Sequence, residues 1–235
     1  MLRQRRLSRF PLRIQALAAA MASQHTDSME RSRVHNPDVP YFSQWESHDL
    51  ILGLIDDTRQ EADDPFWQRS GARTVEEYAF WSRRACGIAC LRMILAYRGL
   101  PVPPSVELAL ECEKAGGYLR HPDGVHGLIY APFVTWIGER FNIQASVCKD
   151  LPIAELVDLA SNGKMVIASV HHSIRWPHLQ PLGRGGHLVL VTGAGDDELV
   201  FNNPSGLPQV NQHRARLADD VFDRFYAARG IIIQS

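Results

Sequence analysis

The sequence is short of cysteine. Cys86, Cys90, Cys112 and Cys148 are the four among 235 residues. Their spacing forms neither a disulfide framework nor a zinc knuckle, so free thiols in a reducing compartment are expected. No His-Glu-x-x-His and no Cys-x-x-Cys pattern occurs, and neither a metal nor a cofactor is expected. His121, His126, His171, His172 and His178 are numerous enough to keep a metal hydrolase as a second enzyme reading, which loss of activity with a chelator would reveal. Long apolar runs are missing as well. Nothing approaches ~18 consecutive apolar residues, so no membrane span is expected. A charge of one sign is also absent: the formal net charge is -1, which gives no whole-chain attraction to nucleic acid or to anionic membrane. There is no internal repeat, and the short alanine run is the sole compositional bias.

What is present suits one soluble domain behind a distinct head. Arg3, Arg5, Arg6, Arg9 and Arg13 form a basic head before a weakly apolar stretch, Ile14 to Ala22. The outline is that of a secretory signal, but the apolar part is short and interrupted by Gln15. A cytoplasmic location is therefore expected, with secretion as the alternative. Gln24 to Pro37 is polar and turn-rich and reads as linker. Residues 1–38 are expected to be a flexible basic arm and residues 39–235 the folded domain.

One stretch organises that domain. Cys86-Gly87-Ile88-Ala89-Cys90-Leu91-Arg92-Met93-Ile94-Leu95-Ala96-Tyr97 reads as a helix that begins at a cysteine and stops at Gly99 and Pro101. A thiol at a helix start sits among unpaired N–H groups and the positive end of the dipole, and both favour thiolate. Gly87 would leave room for a substrate backbone. The plainer reading makes Cys86 and Cys90 small core residues. Ahead of this helix, Val39 to Trp45 is a short extended apolar segment, Asp56 to Arg73 a charged surface excursion, and Thr74 with Glu77 a reciprocal helix cap. After it, Ser105 caps a helix to about Ala115, Tyr118 to Gly127 is a loop, and Ala131 to Arg140 and Pro152 to Ala160 are helical. Strands follow at Met165 to Val170, His187 to Gly193 and Glu198 to Asn202. A helix near Leu217 to Tyr226 and a terminal strand, Gly230 to Ile233, close the chain. Helices first and a meander of strands afterwards give α+β, with a helical N-terminal part packed on a mostly antiparallel sheet.

A nucleophilic cysteine needs a base, and the base an orienting partner. His187 follows Gly185-Gly186 and opens an apolar strand, so its ring would be held at a sheet edge. Asn203 ends the next strand, before Pro204, and two adjacent antiparallel strands can bring such positions together. Asparagine can hold an imidazole in one tautomer. The backbone N–H of Cys86 and the side chain of Gln44 are the candidate oxyanion donors. Trp45, Trp81 and Trp176 are either cleft walls or packing.

The segments Val39-Pro40-Tyr41-Phe42-Ser43-Gln44-Trp45, Cys86 to Met93, Gly185 to Gly193 and Phe201-Asn202-Asn203-Pro204 resemble those of the C39-like peptidases, which have the papain-like cysteine peptidase fold. The resemblance spans Val39 to the C-terminus. It implies Cys86 as nucleophile, His187 as base, Asn203 as orienter and Gln44 as oxyanion donor. Asn203 stands where the group typically has aspartate, with Asn202 its nearest rival, and the interval from Gln44 to Cys86 is unusually long. The implied chemistry is acyl transfer from a peptide or small amide, to water in a hydrolase or to an amine in a transferase. The same scaffold without activity would be a peptide-binding module. Neither an ATP-binding motif nor a membrane segment accompanies the domain, so a complete exporter is not expected.

Overall fold

The computed structural model describes Asn36, residues 38–122 and residues 124–234. The expected basic arm therefore lies outside the described residues, except for Asn36 and Asp38. The helices are α1 (Ile51–Ile55), α2 (Val75–Ser82), α3 (Cys86–Tyr97), α4 (Ser105–Lys114), α5 (Tyr130–Phe141), α6 (Ile153–Ser161) and α7 (Asp219–Phe225). The strands are β1 (Leu119–His121), β2 (Gly124–His126), β3 (Ala145–Cys148), β4 (Met165–His171), β5 (Gly186–Gly195), β6 (Glu198–Asn202), β7 (Ala215–Ala218) and β8 (Tyr226–Ile233). Strands β1 and β2 form a small hairpin, and the other six form one sheet in the order β3-β8-β4-β5-β6-β7. Every neighbouring pair in that sheet is antiparallel. The architecture is α+β.

Both faces of the sheet are covered. Met165, Ile167, Leu188, Leu190, Ile231 and Ile233 pack against α3 and the other early helices. Val166, Ala168, Val170, Val189, Val191 and Phe201 pack with Leu156 of α6 and with Phe222 and Phe225 of α7. Period-2 alternation therefore separates two apolar faces rather than an apolar from a wet one, and β4 reads as an unbroken apolar run. The same crowding explains α3, where every residue from Gly87 to Leu95 is buried. Arg92 is accommodated there by Glu46, 3.4 Å away.

Local chemistry sets the helix ends. The Thr74 hydroxyl accepts the Glu77 N–H at 3.2 Å, as a cap should. The Glu77 carboxylate does not return to Thr74; it accepts from the N–H of Arg73 at 2.8 Å and from its guanidinium at 3.0 Å. Ser105 does not cap α4 either, since its hydroxyl donates to Glu46 at 2.8 Å. Gly99 stops α3 with φ +66°, where a side chain would be strained.

Three expectations change. The segment from Tyr118 to Gly127 contains the β1–β2 hairpin. Its short strands carry no burial alternation by which they can be read. Strand β7 precedes the last helix, which is shorter than expected, and the terminal strand begins at Tyr226. The charged excursion is also pinned to the core. Asp64 is fully buried and accepts from the N–H and hydroxyl of Ser47 at 2.9 and 2.6 Å, the N–H of Phe66 at 2.9 Å and the Tyr78 hydroxyl at 2.5 Å. The long interval between Gln44 and Cys86 is thus folded back onto α2. At the other end, Asn36 is buried and donates to the carbonyls of Gly163 and Thr192 at 3.0 and 3.1 Å. The packed body includes at least that residue.

Candidate active site

The Sγ of Cys86 starts α3 directly beneath the beginning of β5, where a backbone hydrogen bond from Leu188 reaches it. One turn on, Cys90 is buried and its thiol lies 3.9 Å from the Leu188 carbonyl. The two peptide units that flank Leu188 are therefore each in contact with one of the two sulfurs. Cys86 and His187 line one cavity of about 590 Å³, together with Leu128, Tyr130, Ser169 and Leu188. All four cysteines are free thiols.

His187 is 5% exposed, and this decides its chemistry. Its Nε2 lies 2.8 Å from Asn203 Oδ1 and 3.0 Å from the Ser205 hydroxyl. An amide oxygen can only accept, so Nε2 carries the hydrogen and Nδ1 is left as the basic nitrogen. The Asn203 oxygen also accepts the Ser205 N–H at 3.2 Å, which fixes the amide's orientation. Asn202 faces elsewhere: its amide donates to the Val39 carbonyl at 3.3 Å and its oxygen accepts from Arg214 N–H at 2.8 Å. The turn that presents Asn203 is clamped by the extended segment before α1. There Tyr41 donates to the Asn203 carbonyl at 3.1 Å, and Ser43 and the Gln44 N–H both donate to the Pro204 carbonyl, at 3.1 and 3.0 Å.

The Gln44 side chain does not line the cavity with Cys86. Its amide nitrogen donates to the Ser82 carbonyl at 2.8 Å, at the end of the helix leading to Cys86. Its oxygen is buried without a partner. One amide hydrogen remains. Gly87 departs from expectation too: a Cβ there would sit 2.8 Å from Leu128 and 3.1 Å from Leu188. The room beside it is filled by the protein's own side chains. Trp45 and Trp81 are core residues, and none of Trp45, Trp81 and Trp176 lines the cavity.

Sequence reasoning missed Arg175 and Ser205. Arg175 is 8% exposed and donates to the Ser205 hydroxyl at 2.6 and 3.1 Å, to the Ser205 carbonyl at 2.8 Å and to the His172 carbonyl at 3.0 Å. With its lone pairs turned to the guanidinium, the serine hydroxyl has its hydrogen free for Asn203 Oδ1, 3.4 Å away. Ser205 was discoverable from its place in the Asn203-Pro204-Ser205-Gly206 turn. Arg175 lies in a short 3-10 helix, His172–Arg175, and no local pattern marks it.

Burial dominates the electrostatics. It pushes the Cys86 thiol up, against the pull of the Leu188 hydrogen bond, the N–H groups at the helix start and the Arg175 charge. The helix start thus acts in the expected direction but is outweighed. Burial also pushes His187 down to about 3, helped by Arg175 and opposed by Asn203. Burial brings Arg175 down to about 10, so it stays charged at neutral pH. The resting pair is thiol and neutral imidazole. Among the described residues, no three His, Cys, Asp or Glu side chains are grouped to hold a metal ion, and no helix is long and apolar enough to cross a membrane.

The profile of the Peptidase_C39 like family matches residues 37–230. The chain belongs to this family. Family membership supports cysteine peptidase activity. No curated protein matches the chain. Among solved structures, a putative C39-like peptidase from Bacillus anthracis is 16% identical over 65% of this chain and 89% of that one, with a TM-score of 0.48. The peptidase domain of Streptococcus ComA, a bi-functional ABC transporter involved in a quorum-sensing pathway, is 17% identical over 65% and 93%, with a TM-score of 0.43. A double-glycine-motif protease from an AMS/PCAT transporter, in complex with its leader peptide, is 18% identical over 64% and 84%, with a TM-score of 0.39.

Proposed function

We propose that this C39-like chain hydrolyses a peptide or amide bond through a thioester on Cys86. The observation that carries the reading is the shared cavity of Cys86 and His187, with the far nitrogen of the ring bonded to Asn203. As Cys86 sulfur attacks the scissile carbonyl carbon, its proton passes to His187 Nδ1. The carbonyl oxygen becomes an oxyanion facing the Cys86 N–H, which has no acceptor within the helix. The remaining Gln44 amide hydrogen is the side-chain donor offered to it. The carbon–nitrogen bond then breaks, and the leaving amine takes the proton from Nδ1. Water attacks the thioester, gives its proton to Nδ1 and releases the acid. The sulfur leaves as thiolate and recovers the proton from the ring.

Asn203 holds the ring with Nδ1 toward the sulfur. Arg175, through Ser205, holds Asn203 and keeps the ring neutral until the thiol needs a base. The test is a peptide and acyl-amide library read by mass for cleavage and ligation, with the wild type and Cys86→Ala. Cleavage that disappears in Cys86→Ala is expected, and retained cleavage would reject the mechanism. Ligation products would indicate an amine rather than water as acceptor. A thiol-directed electrophile should modify Cys86 well ahead of Cys90, Cys112 and Cys148. Equal labelling would favour a binding module.

A further inference from the structure

The cavity that holds Cys86 and His187 is not electrically balanced. Its lining includes Lys149 and Arg229 and no carboxylate. Both cations are exposed at its edge. Elsewhere Arg73, Arg83, Arg92, Arg120, Arg140 and Arg216 each sit against a carboxylate. Lys149 and Arg229 make no ion pair among the described residues. Arg229 instead lies by the hydroxyl of half-buried Tyr130, which also faces Ser169.

Their placement is costly to the empty protein. Strands β3 and β8 pair Val147 with Ile231 and Cys148 with Gly230, and beyond them Leu151 N–H donates to the Ala228 carbonyl at 2.8 Å. That bond is one residue out of step with the β3–β8 register, so the pairing slips between Cys148 and Leu151, the stretch where Lys149 and Arg229 stand. Like charges on the wall of one cavity repel. Two unpaired cations kept together at one end of an apolar cleft are relieved by an anion placed between them.

On the reading of Cys86 and His187 as a hydrolytic pair, we propose that this cleft selects peptides bearing a carboxylate within about four residues of the scissile carbonyl. The sheet supplies the ruler. In the order β3-β8-β4-β5, the Arg229 backbone is two strands from His187 and Lys149, just past β3, is three, or about 10 and 14 Å at the usual strand spacing; the Arg229 guanidinium reaches back toward β5, 3.1 Å from where a Cβ on Gly185 would stand. An extended peptide covers about 3.4 Å per residue, and the long cationic side chains shorten the count. The apolar walls, Leu128, Val147 and Leu188, would take the intervening residues. The carboxylate can come from an acidic side chain or from a free chain end.

The test uses acetylated hexapeptides with Glu or Gln at each position, made both amidated and as free acids. Binding is read by fluorescence anisotropy on Cys86→Ala protein, and cleavage by mass on the wild type. Glu peptides should bind about five-fold or more tightly than their Gln partners, an exposed-charge effect that weakens with salt. The preference should vanish in a Lys149→Gln/Arg229→Gln double variant and turn toward Lys peptides in Lys149→Glu/Arg229→Glu. A preference confined to free acids would assign the carboxylate to a chain end. Equal binding of Glu and Gln peptides, or a preference that survives the double variant, would overturn the proposal. Failure of the hydrolase reading shows separately, as wild-type alkylation by iodoacetamide that is no faster at Cys86 than at the other three thiols.

Discussion

At Asn203 the chain sets an amide against the buried imidazole where a carboxylate could stand, and the neighbouring cation Arg175 makes that difference matter. Burial, helped by the guanidinium nearby and only partly opposed by the Asn203 bond, brings the His187 ring down to about 3. The acid limb of kcat/KM should accordingly fall well below pH 6, and a limb at or above the ordinary histidine range would show that the ring is not desolvated. Asn203→Asp should move that limb upward, because a carboxylate stabilises imidazolium. Arg175→Met should raise the acid and alkaline limbs together, since the lost charge depresses both His187 and Cys86. His187→Ala should cost more turnover than Asn203→Ala, because the ring moves the proton and the amide only aims it. Gln44→Ala should cost about 10²–10³ in kcat if its spare N–H faces the oxyanion, and little if its bond to Ser82 is its whole role.

At the scale of elements, the site is the meeting of the α3 start with the β5 start, and Gly87 sets how closely they approach. Gly87→Ala puts a methyl where Leu128 stands, so the cleft wall must shift. Reduced kcat/KM with an unchanged far-UV spectrum is expected; full activity would show that Leu128 is free to move. Much at this scale was legible in sequence. Cys86 opens its helix where the apolar period and Gly99 place it, and the strand carrying His187 is adjacent and antiparallel to the strand that ends just before Asn203. The exposed β1–β2 hairpin and edge strand β7 escaped, because neither has an alternating apolar face. Arg175 escaped for another reason. Its Ser205 partner is 30 residues away in sequence, and nothing nearby announces that a cation will be buried.

At the scale of the whole molecule, the site taxes the fold in acid. His187 is neutral in the folded protein down to about pH 3 and takes a proton near 6.5 when unfolded. Between those values the unfolded chain binds the extra proton, so stability is full above the upper value and falls as pH drops through the window. Denaturant midpoints should decline from pH 7 to pH 4, and His187→Gln should flatten that slope; an unchanged slope would place the acid sensitivity elsewhere.

Because Leu188 bonds to Cys86 through its N–H and lies against Cys90 through its carbonyl, helical and sheet layers cannot separate without breaking contacts to the strand that carries the imidazole. Cys86 and His187 are held on one frame. Any control over such a machine has to operate at its doorway, by what is admitted, rather than by parting its working surfaces.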